Sequence, residues 1–288
     1  MTGAAFPSSI RLAGAQVRHQ LVMFRRTPVA LFFTLVLPLM MLVLFNSLFG
    51  GSTITVESGD EWPVRQFYTG GLAVFTAVTA TYTNLANMVP IRREEGVLKR
   101  WRSTPLPTGA CLSGFVGSSV VLATIGAALM LVIGWAFYGL DVDPAELPAA
   151  AVTFVVGVSS FAALGMMVAA LVPSAASAGA VANATILPLA FVSNVFIVTG
   201  DDTPSWMTTV GNFFPLRPFV ESFQDAFNPY VDAPLVPLER MGYVAVWGVL
   251  GLVIAVRRFS WEPRPGAATT RRRRASSQQS GTDGAPSA

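Results

Sequence analysis

The sequence predicts an all-α integral membrane protein: six transmembrane helices, an N-terminal cytoplasmic amphipathic helix, a short cytoplasmic helix between spans two and three, and short external helices before the last span. Three observations predict it. Only 12% of the 288 residues are charged and the mean hydropathy is +0.55, whereas a soluble domain carries roughly 25% charged residues. Several apolar runs reach the roughly 20 residues that cross about 30 Å of hydrocarbon as a helix. Basic residues, finally, collect in alternate loops, as the positive-inside rule requires.

The chain divides into residues 1–27, 28–258 and 259–288. In the first part Ile10, Ala13, Val17, Leu21 and Phe24 recur at helical spacing, with Arg11, Arg18 and Arg25 on a neighbouring face. A basic amphipathic helix of this kind lies in the membrane interface against lipid; an ordinary basic flank is the alternative. The second part holds spans 28–49, 67–89, 112–138, 149–172, 178–198 and 241–256, none containing Asp, Glu, Lys, Arg or His. In lipid each segment must pair its own backbone polar groups, so helices are expected, and the alternating pattern of a barrel strand is absent. The last run is short. Either it begins a turn earlier or Arg257 and Arg258 complete it by snorkelling. The first run is longer than the apolar part of a cleaved leader, and Asn46-Ser47-Leu48-Phe49 is no small-residue cleavage site. From Glu262 the tail is rich in Arg, Ser, Gly and Pro, cannot bury a core and reads as disordered.

Charge gives the orientation. Arg11, Arg18, Arg25 and Arg26 precede span one; Arg92, Arg93, Lys99, Arg100 and Arg102 come after span two; Arg257, Arg258, Arg264 and Arg271 to Arg274 come after span six. These are sixteen of the 19 basic residues, and only Arg65, Arg217 and Arg240 lie in the other set of loops. Both termini are therefore expected in the cytoplasm. Arg- and Ala-rich, Lys-poor usage suggests a high-GC bacterium, hence a bacterial plasma membrane. The single Cys111 excludes an internal disulfide framework, and the single His19 makes a zinc site improbable. No nucleic-acid partner is expected.

Between spans five and six, residues 199–238 are too long for a plain connector. Asp202 or Thr203 is placed to cap one short helix with Pro204 in its first turn. A second begins after Pro218, with Phe219, Phe223 and Phe227 on one side and Glu221, Gln224 and Asp225 on the other. Their apolar faces either dip into the outer leaflet or pack on the bundle.

The segment "IRREEGVLKRWRSTPLP", residues 91–107, is the densest charge cluster between spans and holds the only lysine, Lys99. Pro90 is expected to end span two, and Pro105 and Pro107 to stop any helix beyond it. Residues 91–102 between them read as a short helix with an apolar ridge of Ile91, Leu98 and Trp101. Glu95 and Lys99 form an i, i+4 pair in the favourable order. Such a helix suits a lever docking into a groove on a cytoplasmic partner; a partnerless membrane-surface helix is the other reading.

The segment "RREEGVLKRWRSTPLP" resembles the cytoplasmic loop of ABC-2 type transporter permeases, daunorubicin-resistance-type drug exporters above all, in which R-x-E-x-G-x-L-x-x-x-x-x-x-P stands between spans two and three. "PSWMTTVGNFFPLRPFVESFQDAFNP" resembles the family's stretch before the last span, with "NFFPLRP" where a shorter "NPL" spacing is usual. The resemblance covers about 10–258. It implies a two-protomer permease, homo- or heterodimeric, driven by two cytoplasmic ATPase subunits that bind ATP and Mg, with the loop as coupling helix and Glu94, Glu95, Gly96, Lys99 and Arg100 in the ATPase-facing segment. Relatives carry drugs, lipids or glycans. The residues agree with that division of labour. A phosphate-binding loop needs G-x-x-x-x-G-K-[ST], and Lys99 stands between Leu98 and Arg100.

A proton- or ion-coupled carrier ordinarily keeps an ionisable residue inside the membrane, and these spans have none. A purely structural membrane protein is the remaining alternative. Against it, Thr76, Thr79, Thr83 and Asn87 share one face of span two, and span five adds Asn183 and Asn194. These neutral polar groups either line a translocation path or serve as interhelical hydrogen-bonding groups. The topology is checked by labelling single cysteines in a Cys111→Ser background. Positions 58 and 143 should react from outside the cell, and reaction of position 58 only after the inner face is exposed would overturn the six-span arrangement.

Overall fold

A computed structural model describes residues 9–55, 61–102, 108–198, 203–230 and 237–260, without the side chains of 9–10, 101–102 and 108–111. Helix α1 (Ser9–Arg25) leads into α2 (Pro28–Phe49), whose second turn is a π stretch over Phe32–Val36. Two short antiparallel strands come next, β1 (Thr53–Thr55) and β2 (Glu61–Pro63), with Ile54 opposite Trp62. Helix α3 then runs unbroken from 64 to 94, as Val64–Val78, a π stretch Thr79–Thr83 and Asn84–Glu94. After it come α4 (Val97–Arg102), α5 (Thr108–Tyr138), α6 (Leu147–Leu171), α7 (Ala175–Val192), α8 (Ser205–Phe213), α9 (Leu216–Asp225) and α10 (Leu238–Arg258). The proposed tail lies outside the described residues from 261 onward.

Among the described residues, five helices are long and apolar enough to cross a membrane: α2, α5 from Leu112, α6, α7 and α10. The expected span 67–89 lies inside α3, which at about 1.5 Å per residue has ample length but carries many Thr, Tyr, Gly and Asn residues. Its surroundings explain that composition. Residues 66–78 of α3 are all buried by neighbouring helices, so its side chains meet protein rather than lipid, where hydroxyls and amides find partners. The outward residues of the other helices show the reverse pattern. Phe33, Met40, Leu48, Val132, Trp135, Val249 and Leu252 stand exposed, an apolar belt far beyond what a water-soluble monomer shows.

Small residues let the helices approach closely. A Cβ at Gly165 of α6 would lie 2.7 Å from the Tyr82 carbonyl oxygen of α3, and one at Gly248 of α10 would lie 2.8 Å from the Ser160 Cα of α6. Helix α6 is thus wedged between α3 and α10. Helix α1 crosses the start of α5, with Gln16 over Gly114 and Val17 over Gly117, while Arg11, Arg18 and Arg25 face outward. Its apolar face therefore meets protein as well as whatever surrounds the bundle.

Several boundaries differ from the sequence expectation. The fifth span stops at Val192, not Val198, because Pro188 has already removed an amide from the ladder and the chain turns at Asn194, whose φ is 58°. The last span does begin a turn earlier, at Leu238, and reaches Arg258. Helix α8 has Pro204, rather than Asp202 or Thr203, at its N-cap, and Asp202 lies outside the described residues. Helix α9 starts at Leu216 with Pro218 in its first turn, where a missing amide costs nothing. Phe219, Phe223 and Phe227 pack on the bundle, and Gln224, expected on the opposite side, is buried with them.

Gly165→Val should be among the most damaging small substitutions. The added atoms meet the α3 backbone, which cannot rotate away, and overpacking of this kind costs about 1–3 kcal/mol. Expected is a large drop in monodisperse protein in detergent, with Gly242→Val as the tolerated control, since nothing stands within 4 Å of its Cβ position.

Candidate functional site

The segment from Ile91 to Arg102 is not one helix. Helix α3 continues through Pro90 to Glu94, the chain turns at Glu95–Gly96, and α4 starts at Val97. Pro90 forfeits one backbone bond but is buried in the bundle, where packing holds the helix together across the gap. The break falls instead at Gly96, whose φ of 71° is the left-handed conformation that glycine adopts without strain. This turn separates Glu95 from Lys99, so the expected i, i+4 pair does not form. Glu95 takes Arg92 as its partner at 3.3 Å.

Side chains of the segment divide into two sets. Ile91, Glu95, Lys99 and Arg100 are exposed, and an Arg100 guanidinium nitrogen donates to the Glu95 carbonyl at 3.4 Å. Leu98 is fully buried in a cluster with Leu85, Val89, Phe115, Ala162 and Met166. The expected ridge of Ile91, Leu98 and Trp101 is therefore split: Leu98 anchors α4 to the bundle while Ile91 faces out, and the Trp101 side chain lies outside the described residues. Burying a leucine this fully contributes about 1.5–3 kcal/mol, enough to hold a six-residue helix that could not stand alone.

Arg93 and Glu94 point inward. Arg93 is 1% exposed. Its guanidinium donates to the carbonyls of Ala169 (3.3 Å), Val172 (2.7 Å) and Pro173 (3.4 Å), at the C-terminal end of α6. Glu94 accepts from the Ala175 amide at 2.7 Å, the first amide of α7. Arg93 was not among the residues singled out from the sequence, where it reads as one more positive-inside charge. The only hint there is that it lies within one turn of Pro90, at the end of a long apolar run.

The polar residues proposed for a path are dispersed. Thr76 is buried against Gly126 of α5 and bonds the Leu72 carbonyl at 2.7 Å; Asn87 bonds the Thr83 carbonyl and abuts Gly179 of α7. The π stretch between them inserts an extra residue into the turn and rotates the remainder of the helix, so a stripe drawn at regular helical spacing is not kept on one side. Within that stretch the Thr79 and Thr83 hydroxyls are buried with no partner among the described residues. Asn183 is exposed on α7. Asn194 lies at the other end of the bundle, donating to Glu221 at 2.9 Å while its carbonyl accepts from Gln224 at 3.3 Å. There Glu221 also takes Arg217 at 2.6 Å, and Gln224 donates to the Phe67 carbonyl at 3.0 Å. Burial pushes the nearby Asp225 carboxyl above its ordinary pKa, with Arg240 at 2.8 Å pulling it back. Sequence inspection also missed the Tyr82–Thr185 hydroxyl pair, 2.7 Å apart, which ties α3 to α7.

A bundle of apolar helices with a short charged helix anchored at one end defines a multi-pass membrane protein. Residues 13–228 match the ABC-2 type transporter family, and the chain belongs to that family. It is 29% identical over 254 residues to the daunorubicin resistance ABC transporter permease protein DrrB1 of Streptomyces coeruleorubidus, covering 85% of this chain and 87% of that one. It is 24% identical over 206 residues to the inner membrane transport permease YadH of Escherichia coli K12, covering 70% of this chain and 78% of that one. The chain is accordingly a membrane transport permease subunit.

Asn194 offers a local test. A β-branched residue at positive φ is strongly disfavoured, while Gly tolerates it freely. Asn194→Gly should lose the side-chain bond to the Glu221 carboxylate, about 1.5–3 kcal/mol; Asn194→Val should lose that and add roughly 1–2 kcal/mol of strain. Thermal unfolding midpoints in detergent should fall in the order wild type, Gly, Val.

Proposed function

We propose that this chain is the membrane-spanning subunit of an ATP-driven exporter. Two permease protomers, identical or not, work with two copies of a separate cytoplasmic ATPase that binds ATP and Mg. The observation that carries this reading is helix α4. In a member of this family without a phosphate-binding loop of its own, a short helix exposes Lys99 and Arg100 and is fixed to the bundle by buried Leu98. ATP-driven closure of the partner subunits moves α4, and the helices of two protomers rearrange around a central path. Glu95, Lys99, Arg100, Ile91 and Trp101 are the proposed docking residues. Exposed Asn183 and the π-stretch hydroxyls of Thr79 and Thr83 are the best placed of the proposed path residues.

The charge distribution supports six spans with both termini in the cytoplasm, α3 supplying the second. Arg- and Ala-rich, Lys-poor usage supports a bacterial plasma membrane, in keeping with the name of the Escherichia coli relative. The name of the Streptomyces relative supports a drug-like organic substrate; lipids and glycan-like molecules belong to the same proposal. An uncharged membrane interior speaks against proton coupling.

Reconstitution tests the reading. With daunorubicin as the probe and protein-free vesicles setting the passive, pH-driven uptake of this weak base, vesicles holding permease and its co-purified ATPase should move dye beyond that baseline only with ATP. Transport by the permease alone beyond the protein-free baseline under an imposed pH gradient would sink it. In pull-downs, Trp101→Ala should weaken ATPase binding by about 2 kcal/mol if that ring is a central anchor, without affecting membrane insertion. Full binding by both Trp101→Ala and Glu95→Arg would remove α4 as the docking element.

A further inference from the structure

Arg93 and Glu94 are neighbours in sequence, of opposite charge, and each reaches a different helix. Arg93 donates to the Ala169 carbonyl in the last turn of α6 and to the Val172 and Pro173 carbonyls just beyond it, and Glu94 accepts from the first amide of α7. The signs match the partial charges of the two helix ends, negative at a C-terminus and positive at an N-terminus. The connection between those helices is only Val172, Pro173 and Ser174. Ser174 completes it by accepting from the Ser177 amide at 3.2 Å. With these bonds, loose ends that both helices would otherwise leave unpaired are closed.

A polar side chain would have served as a cap. Burying a guanidinium is far more costly unless hydrogen bonds replace its water, so the choice of Arg93 asks for a reason beyond capping. Position supplies one. The two side chains act within four residues of α4, across the single turn at Glu95–Gly96, and Leu98 holds α4 into the same end of the bundle. Helix α7, seized at its first residue, carries exposed Asn183 two turns further on.

We propose that Arg93 and Glu94 are positioning residues that make the α6–α7 turn move as one body with the end of α3, so that displacement of α4 by the ATPase is delivered to α7. The proposal rests on α4 being the ATPase-docking helix. Glu94, placed by resemblance in the ATPase-facing segment, then acts inward, through the Ala175 amide.

The test uses the permease–ATPase complex in vesicles, with Cys111→Ser and Asn183→Cys as the parent and a maleimide as probe. The parent should show a labelling rate at position 183 that changes on addition of ATP. Glu94→Leu and Arg93→Gln should still bind the ATPase and hydrolyse ATP, yet lose that ATP-dependent change by about tenfold, the scale of one charge-assisted bond. Glu94→Gln, which keeps an oxygen for the Ala175 amide, and Arg93→Lys should restore part of it. The double exchange Arg93→Glu with Glu94→Arg should not rescue, because each helix end accepts only one sign; a simple ion pair between the two would be rescued. Should Arg93→Gln fail to assemble, Glu94→Leu, of similar size and without an acceptor, decides. A wild-type ATP response in Glu94→Leu overturns the proposal, as does rescue by the exchange, or a parent that hydrolyses ATP with no change at position 183. A permease that binds no ATPase overturns instead the reading of α4 on which the proposal rests.

Discussion

The ends of helices are what this structure has to solve. Inside a helix every amide and carbonyl is paired, but each end leaves about four groups open, and near hydrocarbon no water is at hand to take them. Where α6 stops and α7 begins, three residues later, the open groups of two helices lie side by side. Arg93 and Glu94 close them from a third helix. The arrangement of the α4 end of the bundle depends on this closure: α3 must continue through Pro90 to bring the two charges level with the turn, and only then can the chain break at Gly96 and start α4.

The middle of the bundle depends on closeness instead of charge. Gly165 against Tyr82 and Gly248 against Ser160 bring backbones near enough for dispersion contacts to accumulate, the main attraction left between helices when lipid is as apolar as leucine. Helix α3, enclosed on nearly all sides, can accommodate Thr69, Thr76, Thr81 and Tyr82 because its neighbours or its own carbonyls accept their hydroxyls. Its π stretch leaves two hydroxyls without partners among the described residues, at the level where the polar face changes direction. At the far end, Asn194, Glu221, Arg217 and Gln224 link the turn after α7 to α9 and to the backbone of α3. The proposed movement of α7 at one end would therefore have a polar joint to work against at the other.

Those two joints bracket the proposed function. Helix α4 offers charge on its outer face and leucine on its inner one, and α7 connects the residues beneath it to the joint at the opposite end. In that proposal α4 is the short arm of a lever and α7, long and apolar enough to cross a membrane, is the long arm.

Membership of the membrane class, five of the apolar helices and the existence of a short charged helix after α3 were all legible in the sequence, because each rests on local composition or on a period that one helix carries by itself. The direction in which single charges point was not. Arg93 and Lys99 look alike in a basic loop; one is sealed against three carbonyls and the other lies in the open. Gln224 looked outward until the close approach of Gly70 and Gly71 gave it carbonyls to bond. A regular polar stripe was drawn through a helix whose π stretch no propensity announces. Sequence by itself determined what each segment could be, since apolarity and helical period are properties of the segment. Only the tertiary structure decided which helix ends meet, and with that which charges are buried, since a carbonyl or an amide becomes a partner only when another part of the chain brings it within about 3 Å.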